Sequence, residues 1–268
     1  MASHIHATAV IADGAKIGAD CVIGPYCVIG KDVTLGDRCK LHSHVVIDGI
    51  TEIGEETEVF PFSSLGHRPQ DLKFKGEASK LVIGKRNIIR EHVTMNPGTE
   101  GGGMLTQVGD NCLFMAATHV AHDCMLGNNI VMANHATLAG HVTVHDNVII
   151  GGLAAVHQFV RLGVNCFVGG MAGVTKDLVP YGMVTGDRAS LEGLNVVGLK
   201  RRNLTREQIA QLRSVFKALF YGEGTLSERA NALSGTDTGP EAKTMIDFIL
   251  SDSSRSFCTP SLEAREAA

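Results

Sequence analysis

A six-residue period of apolar side chains constrains this chain more than any other feature of its sequence. Every sixth residue is apolar from Ile5 to Leu65, from Ile83 to Met95 and from Val108 to Val174. An α-helix repeats about every 3.6 residues and a half-buried strand every two, so neither accounts for this period. The pattern predicts short strands joined at corners, with an aliphatic side chain inside the coil and coils stacked through parallel ladders.

The period is typical of hexapeptide repeats and predicts an all-β solenoid over residues 1–190. Known hexapeptide proteins imply a left-handed parallel β-helix with three hexads per coil, although the period alone fixes neither the handedness nor the number of sides. Two polar or glycine-rich segments, 66–82 and 97–107, interrupt the period and are expected to be loop excursions. Glycine often follows the aliphatic residue, as in Ile17-Gly18, where we expect it to relieve the backbone at a corner.

The hexads stop near residue 190, and residues 191–268 are predicted to form a C-terminal helical region. Thr205 and Gln208 have the spacing of a capping box. The apolar residues that follow at helical spacing are Ile209, Leu212, Phe216 and Leu219. A second helix is expected from Glu241 to Leu250. Both helices are expected to cap the open end of the solenoid, while the segment after Ser251 has no clear pattern.

Composition and charge exclude several broad classes of protein. With 24 basic and 28 acidic residues the net charge is -4, which disfavours general binding to nucleic acids. The start of the chain lacks the features of a secretory signal, and no apolar run approaches the roughly 20 residues of a membrane span, so we expect a cytoplasmic protein. Six of the seven cysteines lie two positions before an aliphatic repeat residue and are expected to be reduced core side chains, with Cys258 unassigned.

One short segment, Thr118 to Cys124, carries more polarity than a purely structural wall needs. Counting forward by three hexads leads from His122 to Gly140, and three more hexads lead to Gln158. These three residues are therefore expected on one face of successive coils. Three further histidines lie beside this column, the first of them expected at the preceding corner: His119, His141 and His157.

The residue types in this column indicate acyl transfer to an alcohol. His122 in its neutral form can take the proton of a hydroxyl nucleophile, and Asp123 can fix its tautomer and stabilise the imidazolium. The N–H of Gly140 can stabilise an oxyanion. Because no serine or cysteine is placed as a nucleophile on this face, the sequence favours direct transfer without a covalent enzyme intermediate.

Two further groups of charged residues each have a functional and a structural interpretation. The segment Gly198-Leu199-Lys200-Arg201-Arg202 can clamp a phosphate or can be a solvated basic turn. Asp71 and Lys73, in the first excursion, can bind substrate or can form a surface ion pair. The residues alone leave both alternatives open.

Five motifs between residues 70 and 202 are specific enough to compare with known families. They are Gln70-Asp71-Leu72-Lys73, Ala121-His122-Asp123-Cys124, Ala136-Thr137-Leu138-Ala139-Gly140-His141, Ala155-Val156-His157-Gln158-Phe159 and Gly198-Leu199-Lys200-Arg201-Arg202. Together they resemble the acyl-ACP–UDP-N-acetylglucosamine O-acyltransferases, and the resemblance extends over nearly the whole chain. It implies transfer of an (R)-3-hydroxyacyl chain from acyl carrier protein to the 3-hydroxyl of UDP-N-acetylglucosamine, the first step of lipid A synthesis. It also implies a homotrimer with active sites between subunits; no metal or other cofactor is expected.

The resemblance implies roles for individual residues. His122 would be the general base, Asp123 its partner and the Gly140 N–H the oxyanion donor. The expected substrate-binding residues are Gln70, Asp71, Lys73, His119, His141, His157, Gln158, Gly170, Asn195, Arg201 and Arg202. Asn195, Arg201 and Arg202 would hold the nucleotide end. Gly170 matches a position that limits acyl length, and its lack of a side chain favours a longer chain.

The sequence departs from the pattern of the family at three places. Val197 stands where a glutamate is frequent, Arg188 where a histidine is frequent, and Asn96-Pro97 where His-Arg is more usual. The first two changes concern the nucleotide end, so the contacts there are expected to differ. None of the three touches the expected base.

Three other functions compete with this interpretation. A sister acyltransferase that makes an N-linked chain is expected to carry a separate N-terminal uridine-binding domain, whereas the hexads here begin at Ile5; a 3-amino sugar acceptor, which would give an amide, is a closer variant. A trimeric zinc anhydrase needs three converging ligands, for which the candidates are His119, His122 and His141. A non-catalytic scaffold would tolerate His122→Ala without loss of acyl transfer.

Overall fold

The aliphatic residue of each hexad ends a short strand, and most of these strands are two residues long. In His119–Val120, for example, the first side chain faces outward and the second is completely buried. The computed structural model describes residues 3–261. Nearly every strand there pairs with the strand three further along the chain, which confirms three hexads per coil. The chain is a left-handed parallel β-helix with helices at its C-terminal end, as the sequence predicted.

The strands form three sheets, one on each side of a triangular coil. The first sheet contains His4–Ile5, Val22–Ile23, Lys40–Leu41, Glu58–Val59, Ile88–Ile89, Leu113–Phe114, Val131–Met132, Ile149–Ile150, Phe167–Val168, Gly182–Thr185 and Ser190–Leu194. The second sheet contains Val10–Ile11, Val28–Ile29, Val46–Ile47, Ser64–Leu65, Thr94–Met95, His119–Val120, Thr137–Leu138, Ala155–Val156 and Gly173–Val174. The third sheet contains Lys16–Ile17, Thr34–Leu35, Ile50–Ile53, Lys80–Ile83, Leu105–Val108, Met125–Leu126, Thr143–Val144 and Arg161–Leu162.

The register of the ladders places equivalent hexad positions directly above one another. His119 pairs with Thr137 and Val120 with Leu138, in each case three hexads further along the chain. The inward residues therefore form continuous columns of buried aliphatic side chains. A single coil cannot bury its apolar side chains alone, but stacked coils bury them against one another.

The corners use left-handed backbone, but not at the glycines that the sequence suggested. Asp123 and His141 have φ angles of 60° and 62°, and the corresponding turn residue of most other coils is also a non-glycine residue with positive φ. Gly18 follows an aliphatic residue and has no such backbone. A Cβ on Gly18 would instead lie 2.5 Å from the carbonyl carbon of Gly36 in the next coil. These glycines are needed because coils approach closely there, so the expected role in relieving the corner was wrong.

Two irregular segments interrupt the wall. Lys80–Ile83 and Leu105–Val108 pair with each other in the third sheet, so residues 80–82 and 105–107, which the sequence assigned to the excursions, belong to strands. The second excursion contains a 3₁₀ turn, Glu100–Gly102, that ends at Gly103 with a φ of 97°. Both excursions thus leave the coil after the second sheet and return to it through the third sheet.

Up to residue 261, four helices follow the coils: α1 is Val196–Arg201, α2 is Arg206–Tyr221, α3 is Leu226–Ser234 and α4 is Pro240–Leu250. The capping box of α2 is present as predicted, with Thr205 and Gln208 bonding reciprocally. Helices α1 and α3 were not predicted. We propose a domain boundary near residue 190, because the parallel coils end there and the helical region begins.

The segment after α4 is fixed to the last coils, which its sequence did not predict. The Asp177 N–H donates to the Ser256 oxygen at 2.9 Å, and the Cys258 N–H donates to the Asp177 oxygen at 2.8 Å. Arg161 places Nε 2.7 Å from Asp177 Oδ2 and donates from Nη1 to Ser251 Oγ at 2.7 Å. Cys258, which the sequence left unassigned, is a buried side chain of this junction.

All seven cysteines are buried and free. The six in the coils occupy the inward side as predicted, and burial raises the pKa of Cys124 to about 12. Cys124, next to the His122–Asp123 pair in the chain, is therefore a protonated core side chain rather than a nucleophile. Among residues 3–261, none of the helices combines the length and the apolarity that crossing a membrane requires.

Candidate active site

His122 and Asp123 form a hydrogen-bonded pair at the corner between the second and third sheets. The His122 Nδ1 atom lies 2.8 Å from Asp123 Oδ2. The Asp123 side chain is fully buried, whereas the His122 side chain is 15% exposed and therefore open to a substrate. Because a carboxylate only accepts hydrogen bonds, the Nδ1 atom carries the proton and the lone pair lies on Nε2.

The second excursion surrounds the Asp123 carboxylate with donors. The Thr99 N–H donates to Oδ1 at 2.8 Å, and the Thr99 hydroxyl donates to Oδ2 at 2.6 Å. The N–H of Asp123 itself donates to Thr106 Oγ1 at 2.7 Å. The sequence did not point to either threonine, and a buried carboxylate needs such partners to remain ionised.

Gly140, which is one coil further along the chain, lies directly against the ring of His122. The His141 N–H donates to the His122 oxygen at 3.0 Å, and the Phe159 N–H donates to the Gly140 oxygen at 3.2 Å, so steps of three hexads lead from corner to corner as predicted. A Cβ on Gly140 would lie 2.5 Å from His122 Cε1 and 2.7 Å from Nε2. The Gly140 N–H has no acceptor among residues 3–261 and remains available to a ligand.

His141 extends the same corner by one coil. Its Nδ1 atom lies 3.9 Å from Asp123 Oδ2, and its ring meets that of His122 edge-on with centroids 5.0 Å apart. The ring of Phe159 stacks on the other face of His141 at 4.4 Å. Burial lowers the pKa of His141, an effect that the Asp123 charge opposes. His141 is thus a neutral ring held between the rings of Phe159 and His122.

His119 lies inside the strand His119–Val120 rather than at a corner, where the sequence placed it. Its Nδ1 atom is 2.7 Å from Thr94 Oγ1 in the preceding coil. Burial lowers the pKa of His119, and the nearby His122 adds to this effect. His119 therefore faces the same side as the base while its ring remains neutral.

The first excursion folds over this corner within the same chain. Asp71 and Lys73 line a cavity of about 500 Å³ together with His141 and Phe159. The Asp71 carboxylate accepts the Lys73 N–H at 3.0 Å, which shapes the loop and leaves both side chains partly or wholly exposed. The two charged residues thus border the cavity beside His141 and the His122 corner, which favours their functional interpretation.

Glu77 joins the two excursions. One carboxylate oxygen accepts the N–H of Glu100 at 3.1 Å, and the other accepts the N–H of Lys75 at 2.8 Å. Hydrogen bonding to its own N–H, and then to those of its neighbours, lowers the pKa of Glu77. The second excursion, which holds the Asp123 carboxylate through Thr99, is therefore also bound to the first excursion, which carries Asp71 and Lys73.

Three of the predicted substrate residues have no direct contact with the base. Gln70 and Gln158 are exposed side chains. His157 is exposed as well, and its Nδ1 atom lies 3.1 Å from Arg255 Nη2 in the segment after α4. The structure thus brings His122, Asp123, Gly140 and His141 into contact and leaves these three residues at the rim.

Asn195, Arg201 and Arg202 line a second cavity, of about 410 Å³, on the outer side of the first sheet. The Asn195 side chain caps α1 by accepting the Gly198 N–H at 3.0 Å, and it donates to the Asn165 oxygen at 3.1 Å. Both polar atoms of its amide therefore have a partner within the chain, while the residue still lines the cavity. Arg201 and Arg202 remain exposed at the end of that helix.

The three positions that depart from the family pattern have distinct surroundings. Val197 is 59% exposed and lines the cavity beside Arg201 and Arg202. Arg188 is exposed in the turn before the last strand. Asn96 is buried and donates from Nδ2 to the His67 oxygen at 3.0 Å, so it anchors the first excursion.

The predicted site residues occupy three separate places on one chain. His122 lies at the corner between the second and third sheets, and Gly170 lies at the corner between the first and second sheets. Arg201 and Arg202 lie against the first sheet, which is the side opposite the His122 corner. One chain alone therefore does not bring Arg201 and Arg202, which are expected at the nucleotide end, to His122.

The candidate metal site differs from the one that the sequence suggested. His122, Asp123 and His141 place ligand atoms within 4.8 Å of one another, whereas His119 is not part of this group. Both oxygens of Asp123 already accept hydrogen bonds from Thr99, and Oδ2 also accepts one from His122. A cation between these three residues would have to displace the proton on His122, so these residues suit a base better than a metal.

Comparison with known proteins agrees with the fold and the site. Residues 2–31 and 14–49 match the bacterial transferase hexapeptide family of six repeats, and residues 177–258 match the second domain of UDP-N-acetylglucosamine O-acyltransferase. A crystal structure of a UDP-N-acetylglucosamine acyltransferase superposes with a TM-score of 0.93 at 45% identity, over 97% of this chain and 100% of the other. The UDP-N-acetylglucosamine acyltransferase from Campylobacter jejuni gives a TM-score of 0.90 at 40% identity, over 96% and 100%.

Curated relatives extend the similarity along nearly the whole chain. The acyl-ACP–UDP-N-acetylglucosamine O-acyltransferase of Sinorhizobium fredii is 48% identical over 259 residues, which cover 96% of this chain and 95% of the relative. The enzyme of that name from Paracoccus denitrificans is 53% identical over 202 residues, or 75% and 77%. The fold and the His122–Asp123 corner therefore define a hexapeptide-repeat acyltransferase. More narrowly, the chain belongs to the acyl-ACP–UDP-N-acetylglucosamine O-acyltransferase family.

Proposed function

We propose that this protein transfers an (R)-3-hydroxyacyl chain from acyl carrier protein to the 3-hydroxyl of UDP-N-acetylglucosamine, which begins lipid A synthesis. The observation that carries the proposal is the orientation of His122. Its Nδ1–H is bound to the buried Asp123, so Nε2 is left as the base. Base, buried carboxylate and a free backbone N–H are the groups that direct acyl transfer to an alcohol requires.

The chemistry follows from these three groups. Nε2 of His122 takes the proton of the sugar hydroxyl as its oxygen attacks the thioester carbonyl. The N–H of Gly140 stabilises the oxyanion of the tetrahedral intermediate. Asp123 stabilises the imidazolium, which then gives the proton to the departing thiolate of the carrier protein as the C–S bond breaks. Ester and free thiol are the products, and no covalent enzyme intermediate is formed.

Asp71 and Lys73 are well placed to bind the acceptor. They border the cavity that contains His141, and Lys73 offers a positive charge while Asp71 offers an acceptor for sugar hydroxyls. Gly170 would limit the acyl chain. It is exposed beside Gly152, and the nearest atom to a Cβ there is the Gly152 oxygen at 3.3 Å, so the surface is bare backbone that favours a longer chain.

We further propose that the active unit is a homotrimer. Arg201 and Arg202 lie on the side of the coil opposite His122, and a neighbouring copy could supply them to the base. Contacts between unlike surfaces of identical copies close into a ring when each copy is rotated by a third of a full turn relative to the last. Each of the three sites would then combine the His122 corner of one subunit with the first sheet of the next.

The outward side chains of the sheets support such an assembly. In the C-terminal coils the first sheet presents a row of apolar residues: Leu113, Val131, Ile149, Phe167 and Met183. In the same coils the third sheet presents the polar residues Gln107, Thr143 and Arg161 together with the apolar Met125. A continuous apolar row is typical of a surface that contacts a partner, and a more polar row is typical of a surface that faces water. The expected mass in sedimentation equilibrium is about three times 28.4 kDa.

The test is an assay of the purified protein with UDP-N-acetylglucosamine and carrier proteins that bear hydroxyacyl chains of increasing length. We expect an ester product, and His122→Ala should lower kcat by roughly 100-fold to 10,000-fold while the chain stays folded. His135→Asn is the matched control, because His135 is an exposed corner residue with a φ of 60° that asparagine tolerates. Full activity of His122→Ala, or loss of activity on treatment with a chelator, would contradict the mechanism.

A reducing cytoplasmic location suits this function, and we propose it. All seven cysteines are buried free thiols, the state that a reducing compartment maintains.

A further inference from the structure

Thr99 holds both oxygens of Asp123, and it does so from outside the hexad wall. Its N–H reaches Oδ1 at 2.8 Å and its hydroxyl reaches Oδ2 at 2.6 Å. Thr99 and Asp123 are each only 4% exposed. Two donors from one residue fix the plane of a carboxylate as well as its position, and donors to a charged acceptor form strong hydrogen bonds.

The local backbone is built to present these two donors. The N–H groups of Gly102 and Met104 both donate to the Thr99 oxygen, at 3.1 and 3.0 Å, which closes a tight turn around the threonine. Gly102 packs so closely on the Asp123 carboxylate that a Cβ there would overlap it. Behind the carboxylate, Thr106 holds the Asp123 N–H. The second excursion thus encloses Asp123 on the side that the coil leaves open.

The orientation matters because Asp123 has two histidines within reach. Oδ2 lies 2.8 Å from Nδ1 of His122 and 3.9 Å from Nδ1 of His141. A small rotation of the carboxylate would bring it towards His141 and away from His122. After that rotation the carboxylate would no longer hold the proton of His122 on Nδ1. The proton could then occupy Nε2, and a His122 ring protonated there cannot act as the general base.

We propose that Thr99 is a positioning residue for the reaction, which keeps Asp123 on His122 rather than on His141. The inference rests on the proposed function, in which His122 is the base. Thr99 touches no reacting atom in this account. It acts through Asp123, and its hydroxyl and its N–H both contribute.

The first test compares Thr99→Val, which keeps the shape and removes the hydroxyl, with Thr99→Ser, which keeps the hydroxyl. We expect Thr99→Val to lower kcat by roughly 10-fold to 100-fold with little change in KM, and Thr99→Ser to retain most of the rate. Thr118→Val is the matched control, because Thr118 is fully buried and its hydroxyl has no partner among residues 3–261. An unchanged kcat in Thr99→Val, or an equal loss in Thr118→Val, would overturn the proposal.

A double-mutant comparison separates positioning from a general effect on the loop. In an Asp123→Ala background the Thr99→Val change should cause no further loss, because the group that Thr99 positions is already absent. A second loss of the same size would mean that Thr99 shapes the excursion and does not act through Asp123.

A crystal structure of Thr99→Val provides a readout that does not depend on turnover. We expect the distance from Asp123 Oδ2 to His122 Nδ1 to lengthen and that to His141 Nδ1 to shorten. An unmoved carboxylate overturns the proposal for Thr99 even if the enzyme acts as proposed. Absence of acyl transfer by the unmodified protein, with a moved carboxylate in the variant, would instead reject the proposed function and leave the positioning contact in place.

Discussion

A side chain on Gly140 would lie 2.5 Å from Cε1 of His122, so the expected general base rests on bare backbone in the neighbouring coil. The same residue presents its N–H without an acceptor among residues 3–261. Gly140 therefore has two consequences for the site: it leaves space for the His122 ring, and it offers a donor to the charge that develops beside that ring.

The first prediction separates these two roles. Gly140→Ala retains the backbone N–H but places a methyl group where the His122 ring now lies. We expect kcat to fall by roughly 100-fold, because the methyl group displaces the His122 ring from its position while the N–H donor stays in place. The measurement is steady-state kinetics of acyl transfer, combined with thermal unfolding to show that the coil is intact.

The control for this change is Gly235→Ala. A Cβ on Gly235, beyond α3, meets no atom within 4 Å, and the residue lies far along the chain from the coils that carry the site. Its kinetics should match those of the unmodified protein. If Gly140→Ala is equally active, the close contact with His122 has no importance for catalysis.

The second prediction concerns the proposed sharing of each site between two subunits. A chain with His122→Ala and a chain with Arg201→Ala and Arg202→Ala should both be impaired alone. Refolded together in equal amounts, they should recover about one quarter of the unmodified activity. Each proposed site needs an intact His122 from one subunit and an intact arginine pair from the next, and each of these is present in about half of the subunits. No recovery in mixtures that are shown to contain both chains would place all the site residues within one subunit.

Much of the fold follows from the hexads, because an inward aliphatic residue at each sixth position leaves a coil few other ways to pack. Helices α1 and α3 escaped prediction for different reasons. Helix α1 has six residues and begins at an asparagine cap, so it shows no periodic pattern. Helix α3 has the capping box of Thr225 and Glu228, but only Ala230 is buried, so its apolar stripe is weak.

The candidate site was predictable only where the register of three hexads per coil holds. His122 and Gly140 obey that register, so their contact could be predicted by counting. Thr99 lies 24 residues before Asp123, because the second excursion shifts the register, and no count from the hexads brings the two together. The separation of Arg201 from His122 likewise depends on the helices that follow the coils, which the hexads do not position.

The third prediction tests the link between the two excursions. Glu77→Gln removes the charge that accepts the N–H groups of Glu100 and Lys75, so the loop that carries Asp71 and Lys73 should loosen. We expect KM for UDP-N-acetylglucosamine to rise roughly 3-fold to 10-fold with a smaller change in kcat.

Glu56→Gln is the control for that loop. Glu56 is an exposed carboxylate that pairs with Arg38 in the N-terminal coils, away from both excursions. It should leave KM unchanged. A fall in kcat at constant KM for Glu77→Gln would show that the carboxylate affects the base rather than the binding of the acceptor.

The fourth prediction follows from the buried ring of His119. Burial, and secondarily the nearby His122, lowers its pKa in the folded chain below the ordinary value of 6.5. The unfolded chain therefore binds a proton first as the pH falls. Lower pH stabilises the state that binds more protons, which here is the unfolded chain. The free energy of unfolding should therefore decrease as the pH drops from 6.5 through the lowered pKa of the folded state.

His119→Gln should reduce this dependence, because glutamine does not titrate and its amide can still meet Thr94 Oγ1, the present partner of the ring. The measurement is urea unfolding at about pH 7.5 and about pH 5.5, on either side of the ordinary histidine pKa. The difference in unfolding free energy between the two pH values should be smaller in the variant than in the unmodified chain. Because the pKa of His141 is lowered by burial as well, part of the dependence should persist in His119→Gln. An identical pH dependence in the two proteins would mean that the ring of His119 does not remain neutral on folding.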